Sequence, residues 1–232
     1  DALTLVSPQW QAAGWRGQAR VALALASGAL QAQLEARPPG PAPAPALRLQ
    51  ARGRWRAQQL SGLSIQASRG RSRLALSGSI GRVWNLSSRF QLRPADLALR
   101  PAPPAWLLRD ALNGELRLAG PLRQPLLSGT LSQAANPLLG AWRAVWRWQG
   151  NRLLLQRFSS PHLEASGRLP LTLGGRQGVR SGPLDLQLDL RRYPLARLNP
   201  LVGARLGGLL EASGSVRGGL AALVPDLSLA LD

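Results

Sequence analysis

The chain has 232 residues, 45% of them hydrophobic, and 29 basic against 11 acidic residues give a formal net charge of +18. Every base is arginine; Lys, Cys and Met are absent and His162 is the single histidine. Zinc fingers, iron–sulfur sites and thiol catalysis need Cys or Cys/His clusters, and a phosphate loop needs its Lys, so those chemistries are excluded.

No apolar run approaches the roughly 18 residues of a transmembrane helix. A chain opening at Asp1 rather than Met reads as a processed or excised piece of something longer. Along it the dominant pattern is alternation of apolar and polar residues, the two-residue period of a half-buried strand. It begins in the short run Val21–Leu25. A Pro/Ala stretch, 38–45, reads as an extended loop inserted between two strands. From Leu47 to Ala57, Leu47, Leu49, Ala51, Gly53 and Trp55 alternate with Arg48, Gln50, Arg52, Arg54 and Arg56. Arg48, Arg52, Arg54 and Arg56 thus form a basic face behind an apolar one.

Leu74–Leu76 is a further short run, followed by Trp84, Leu86, Ser88, Phe90 and Leu92, which share one face of a strand. Pro103-Pro104 and the residues to Leu112 predict two turns of helix, with Asn113-Gly114 as the stop. Leu116–Leu118 resumes the strand pattern. Trp142, Ala144, Trp146 and Trp148 alternate with Arg143, Val145 and Arg147, and short runs follow at Leu153–Leu155 and Leu169–Leu173. Leu184, Leu186, Leu188 and Leu190 alternate with Asp185, Gln187 and Asp189. Tyr193–Leu206 is a second helix-like break, interrupted by Pro194 and Pro200, and Leu227–Leu231 closes the series. Gly28, Gly62, Asn113-Gly114, Gly150-Asn151 and Gly174-Gly175 read as turns between strands.

Many short strands predict an antiparallel all-β fold. Two short helical breaks cannot cover the apolar face, which must close on itself, pack on a second sheet or meet something that is not protein.

An internal repeat organises the second half. Leu112 falls on Leu206, Gly114 on Gly208, Leu116 on Leu210 and Gly120 on Gly214 at one constant offset, giving repeat-like units at about 84–131 and 178–231. Such repetition marks an array growing along one axis. The order "alternating strand, Pro-containing break, L-x-G-x-L-x-x-x-G, then P-x-L-S-G-x-L", carried by 112–131, resembles the C-terminal conserved domain of the TamB family, translocation and assembly module proteins. Tyr193-Pro194-Leu195 through Gly208 and the run Trp146–Gly175 resemble it as well, and the likeness covers roughly residues 60–232.

The resemblance implies an elongated antiparallel sheet curled into an open hydrophobic trough, related to AsmA-like and bridge-like lipid-transfer proteins, with residues 1–232 as one repetitive segment of a longer chain. It further implies a periplasmic location in the cell envelope, an inner-membrane anchor in a preceding N-terminal part, and an outer-membrane barrel partner of the TamA type. The implied role is non-enzymatic, needs no cofactor or metal, and consists of carrying phospholipid acyl chains between inner and outer membranes or supporting outer-membrane protein assembly. On this reading Trp84, Leu86, Phe90, Leu92, Leu116, Leu118, Trp142, Trp146, Trp148, Leu184, Leu186, Leu188 and Leu190 line the trough.

The alternative is a closed β-sandwich or barrel whose basic face binds nucleic acid or another anionic surface. Nucleic acid is disfavoured because the arginines spread through many strands and the aromatic residues lie on the opposite face, whereas single-strand binders mix the two. Asp185 and Asp189 share a strand face and are the nearest approach to a carboxylate pair, and His162 reads as a loop residue, so no catalytic constellation emerges.

Overall fold

Leucine, alanine and tryptophan at alternate positions form strand throughout the computed structural model, which describes residues 2–12, 15–38, 45–96, 110–121, 124–173, 179–219 and 222–232. The chain divides into two compact units, Asp1–Pro103 with Ala111–Pro125, and Pro104–Asp110 with Leu126–Asp232.

The first unit holds β1 (Ala2–Ala12), β2 (Trp15–Ala24), β3 (Ala29–Arg37), β4 (Leu47–Arg56), β5 (Gln59–Arg69), β6 (Ser72–Ile80), β7 (Val83–Leu92) and β8 (Leu112–Pro121), with a 3-10 turn at Pro94–Asp96. Each strand pairs antiparallel with the next, a simple meander. β3 and β4 are direct neighbours although the Pro/Ala stretch intervenes, and residues 39–44 of that stretch lie outside the described residues.

The second unit holds β9 (Leu126–Gln133), β10 (Trp142–Gln149), β11 (Arg152–Ser159), β12 (Leu163–Leu173), β13 (Val179–Ser181), β14 (Leu184–Pro194), β15 (Leu209–Gly219) and β16 (Ala222–Leu231). Here too the ladders run antiparallel between successive strands, except that β12 pairs with β14 over Leu163–Arg168 and with the short β13 over Leu171–Leu173. A 3-10 turn at Leu195–Leu198 and the one-turn helix α1 (Asn199–Val202) connect β14 to β15.

Among the described residues no ladder joins β1 to β8 or β9 to β16, so neither unit closes into a barrel. Among the described residues strands contact chiefly their ladder neighbours, and no second layer stacks on either sheet. The fold is all-β, antiparallel and open, which sets aside the closed sandwich or barrel as an architecture.

Cross-strand partners point to the same side of an antiparallel sheet. In the first unit they line up as Leu5, Val21, Ala32, Ala51, Ile65, Leu76, Ser88 and Leu116, and beside them Ala19, Leu34, Leu49, Ala67, Leu74, Phe90 and Gly114. On the other side Arg20, Gln33, Gln50, Gln66, Ala75, Arg89 and Glu115 follow one another. Apart from the edge strand β1, the apolar side is mostly half-buried and the polar side mostly exposed, the asymmetry of a sheet curled toward its apolar face.

The glycines show how that curl is accommodated. Gly78, Gly120, Gly167, Gly214 and Gly218 adopt φ between 102° and 156°, a region open essentially to Gly. All five lie on the apolar side, opposite large residues: Gly78 faces Leu63 and Leu86, Gly120 faces Trp84, Gly167 faces Leu155 and Leu186, Gly214 faces Leu188 and Leu227. Glycine kinks curve a sheet, and alternating large with absent side chains makes room where a concave face crowds them.

Three sequence expectations change here. Gly62 is not a turn; with φ +57° it sits in a bulge of β5 that returns Leu60 and Leu63 to one face. Asn113-Gly114 is not a helix stop either but lies inside β8, opposite Gln91 and Phe90, because Gly114 accommodates the phenyl ring across the ladder. The helix expected up to Leu112 falls outside the described residues except at its end, where Leu112 begins β8. Of Tyr193–Leu206 only Leu195–Val202 is helical, since the tyrosine and Pro194 still pair with β15. The real turn between β4 and β5 is Ala57-Gln58, both at positive φ without a glycine. Gly174-Gly175 lies outside the described residues.

At Gly78 a Cβ would run into the Asn85 carbonyl oxygen, whereas at Gly62 it would meet nothing. Gly78→Ala therefore destabilises the protein by about 2 kcal/mol or more and Gly62→Ala by only about 1 kcal/mol. Urea unfolding midpoints measure both, and equal effects would contradict the assignment of Gly78 as a backbone kink.

Candidate functional site: an uncovered apolar face

The thirteen residues expected to line a trough fall into two groups, one in each unit. In the first, Trp84, Leu86, Phe90 and Leu92 on β7 and Leu116 and Leu118 on β8 all lie on the apolar side. Leu86 faces Leu118, Leu92 faces Leu112, and Phe90 is buried at 8% exposure while the other five are half-buried. The spacing L-x-G-x-L-x-x-x-G puts Leu112, Gly114, Leu116 and Gly120 at even steps, so the whole motif occupies one face of β8.

In the second unit Trp142, Trp146 and Trp148 share the apolar side of β10 with Ala144. Their ladder partners on β9 are Gln133, Gly129 and Leu127, so P-x-L-S-G-x-L over 125–131 also places its leucines and glycine on this side. Leu184, Leu186, Leu188 and Leu190 occupy the apolar side of β14, half-buried, against Leu163, Ala165 and Gly167 of β12.

Phe158 belongs to the same surface and the sequence pattern hides it. A bulge in β11 between Leu155 and Phe158 inserts one residue, which swings the even-numbered Phe158 onto the face of Leu153 and Leu155. Its ring stacks on Trp142, with centroids 5.6 Å apart and planes 22° from parallel. A second bulge between Leu190 and Tyr193 brings Tyr193 to the apolar side in the same way. Leu34, Leu49, Ile65, Leu74 and Leu76 extend the surface in the first unit; their alternation was legible, but only the ladders show that their faces are continuous with β7 and β8.

Little of this surface is sealed. The fully buried apolar residues among those described are Ala36, Leu63, Phe90, Ala111, Ala144, Tyr193 and Ala212, four of them alanines. A closed core would bury its leucines and tryptophans instead. The indole Nε1 groups of Trp146 and Trp148 are shielded from solvent and have no hydrogen-bond partner among the described residues.

One end of the second unit's face is tied by polar groups. Gln133, 2% exposed, donates to the Asp110 carbonyl at 3.1 Å and accepts from Asn136 Nδ2 at 2.9 Å and Trp142 Nε1 at 3.1 Å. Asn136 Oδ1 accepts from the Leu138 and Leu139 amides, and the Leu138 carbonyl accepts from Tyr193 Oη at 3.1 Å. His162, half-buried in the loop between β11 and β12, meets the Tyr193 ring edge-on at 6.0 Å.

The opposite faces differ between the units. Arg48, Arg52, Arg54 and Arg56 are exposed on the polar side of β4; Arg48 reaches Glu35 at 4.0 Å, and the other three have no ion pair among the described residues. In the second unit Asp185 lies between Arg168 at 2.9 Å and Arg217 at 3.5 Å, Glu164 pairs with Arg157 at 3.2 Å, and Asp189 binds Arg191. Asp189, first by its hydrogen bond and then by its charge, holds the Arg191 guanidinium above its ordinary pKa. Asp185 and Asp189 therefore serve as counter-ions for arginines. Two shallow hollows of about 400 and 310 Å³ dip between polar side chains of the first unit, around Arg20, Glu35 and Arg48 and around Arg89, Glu115 and Arg117. No group of His, Cys, Asp and Glu able to hold a metal occurs among the described residues.

Compared with protein-family models, curated proteins and solved structures, the chain matches none of them.

Burial pushes the Tyr193 phenol above its ordinary pKa, with the Arg197 charge opposing. A raised folded pKa means that stability is complete below the unfolded value of about 10 and is lost as pH rises through the folded value. The chain has one Tyr and neither Lys nor Cys, so between about pH 9 and 11 Tyr193 is the side chain that titrates. Urea midpoints fall across that window in the native chain and stay flat in Tyr193→Phe; a slope that survives the substitution would remove Tyr193 as its source.

Proposed function

We propose that the apolar face is a non-enzymatic binding surface for phospholipid acyl chains, and that the chain is a segment of a TamB-like cell-envelope protein working in the periplasm between inner and outer membranes. The observation that carries this reading is an apolar surface, continuous across the strands within each unit, over which none of the described residues forms a second layer. Water against so much Leu, Ala and Trp is unfavourable, and an acyl chain laid there would gain about 0.8 kcal/mol for each methylene buried.

The chemistry of the face suits this occupant. Large side chains separated by glycines make an uneven, mostly apolar floor without the convergent polar groups that orient a small substrate. Headgroups stay in water at the margin of the sheet. In the full envelope protein an inner-membrane anchor and an outer-membrane barrel of TamA type would complete the route.

A second role, support of outer-membrane protein assembly, is favoured by the edge strand β16. It pairs with β15 alone among the described residues and carries Leu223, Val224, Leu229 and Leu231 exposed by 48–68%. An unpaired edge can accept an incoming strand through backbone hydrogen bonds.

Native mass spectrometry of the purified chain, with extraction of co-purifying lipid, tests the first role. Phospholipid bound at defined stoichiometry is expected, and Trp146→Glu and Leu188→Glu lose it while keeping a β-type circular dichroism spectrum. A clean lipid-free mass for the native chain sinks the proposal. Leu229→Pro, at the edge, spares lipid binding and impairs strand acceptance; if it and Leu188→Glu impair both equally, the two roles are not separate.

A further inference from the structure

We infer that one rim of the first unit is a docking surface for an anionic lipid bilayer. In a meander the hairpin turns alternate between the two ends of the strands. The hairpins β2–β3, β4–β5 and β6–β7 therefore share one rim, with tips two strands or about 10 Å apart. Each presents a large apolar side chain to solvent: Leu25 is 62% exposed, Trp55 51% and Val83 59%. The first two tips touch, since the Trp55 amide donates to the Gly28 carbonyl at 2.7 Å. Leu3, 61% exposed, lies at the same end of β1, paired with Leu23.

Arginines accompany these tips. Arg54 and Arg56 flank Trp55, and Arg82 precedes Val83; all three are exposed and none has an ion pair among the described residues. The surrounding sequence sharpens the charge. Between Glu35 and Asp96 there is no acidic residue and there are eleven arginines, of which Arg37, Arg69, Arg71 and Arg93 lie toward the opposite rim. The opposite rim is built differently. There the β5–β6 hairpin is capped by Asp96, whose Oδ2 accepts from the Arg71 and Ser72 amides at 2.9 Å each, and no exposed large apolar residue is found among its described residues.

Exposed apolar tips between cations suit one environment above others. At a bilayer interface indole and aliphatic tips enter the headgroup region and guanidinium groups meet lipid phosphates. Nucleic acid would use the cations but would leave Leu25 and Val83 in water, and a rim of hairpin tips offers no stacking platform. Trp55 and Leu3 stand at the margin of the first unit's apolar side, whereas Trp146 and Leu188 lie in the second unit, so vesicle binding through the rim and lipid carriage on the sheet can fail separately.

The absence of Cys allows a direct test with single fluorophores. Leu25→Cys, Val83→Cys and, on the opposite rim, Arg71→Cys are labelled with an environment-sensitive dye. Each is mixed with phosphatidylcholine vesicles with and without phosphatidylglycerol. Positions 25 and 83 shift to the blue with anionic vesicles alone, position 71 does not, and high salt reverses the shift. In the unlabelled chain, flotation weakens about fivefold for each of Arg54→Gln, Arg56→Gln and Arg82→Gln. Trp55→Ser weakens it further, with an unchanged circular dichroism spectrum as the control for folding. No flotation, equal shifts at both rims, or displacement by an oligonucleotide that depends on the arginines but not on Leu25 or Trp55 would each overturn the assignment, the last in favour of a polyanion site.

Discussion

Every described strand has a ladder neighbour, yet among the described residues the apolar side of each unit's sheet has no layer of protein above it. Ordinary domains bury one element's apolar face against another's. Here the side chains must shelter one another within a single layer, which explains why half-burial is the rule and why the fully buried positions are so often alanine. Cohesion then rests on backbone ladders and on cross-strand pairs worth roughly 0.2–1 kcal/mol each. The glycines that oppose Trp84, Leu86 and Leu188 are part of this solution, because a sheet that curls toward its own side chains gains room where one of two facing positions has none.

Bulges serve the same end. At Gly62, before Phe158 and before Tyr193, one extra residue on a strand would throw all later side chains to the wrong face if it were paired, and left unpaired it corrects the face instead. In each case the residue regained is large and apolar. The glycine kinks and these bulges together keep one surface greasy over long, irregular strands. The two units treat the other surface differently. β12, β14 and β15 pair arginines with Glu164, Asp185 and Asp189, while on β4–β7 only Arg48 and Arg89 meet a carboxylate, Glu35 and Glu115, among the described residues.

Alternation made the strands and the identity of the apolar face legible from sequence, because a two-residue period is a local signal and survives without knowledge of partners. The motif glycines were legible as a pattern, but their role was not. Gly62 and Gly114 looked like turns, since glycine is ambiguous until its cross-strand neighbour is known. Ala57-Gln58 shows the converse, a tight turn made without glycine because the flanking ladder forces it. The place of Phe158 depends on a bulge, and the knot of Gln133, Asn136, Trp142 and Tyr193 joins residues up to 60 positions apart, which no local pattern reveals. What binds the apolar face is a question of chemistry rather than pattern, and composition alone could only pose it.

Contacts confined to neighbouring strands also determine how such a molecule comes apart. With each strand held chiefly by two others, stability resembles a chain of nearest-neighbour couplings more than a single cooperative core. Loss of a central strand would sever the chain of couplings, whereas loss of an end strand removes one link and leaves the next exposed. Opening should therefore fray inward from the ends of the ladder, with amide exchange protection rising stepwise toward the interior of each unit. A protein arranged in this way can lengthen or shorten by whole hairpins without redesigning a core, because no interior exists that all strands share.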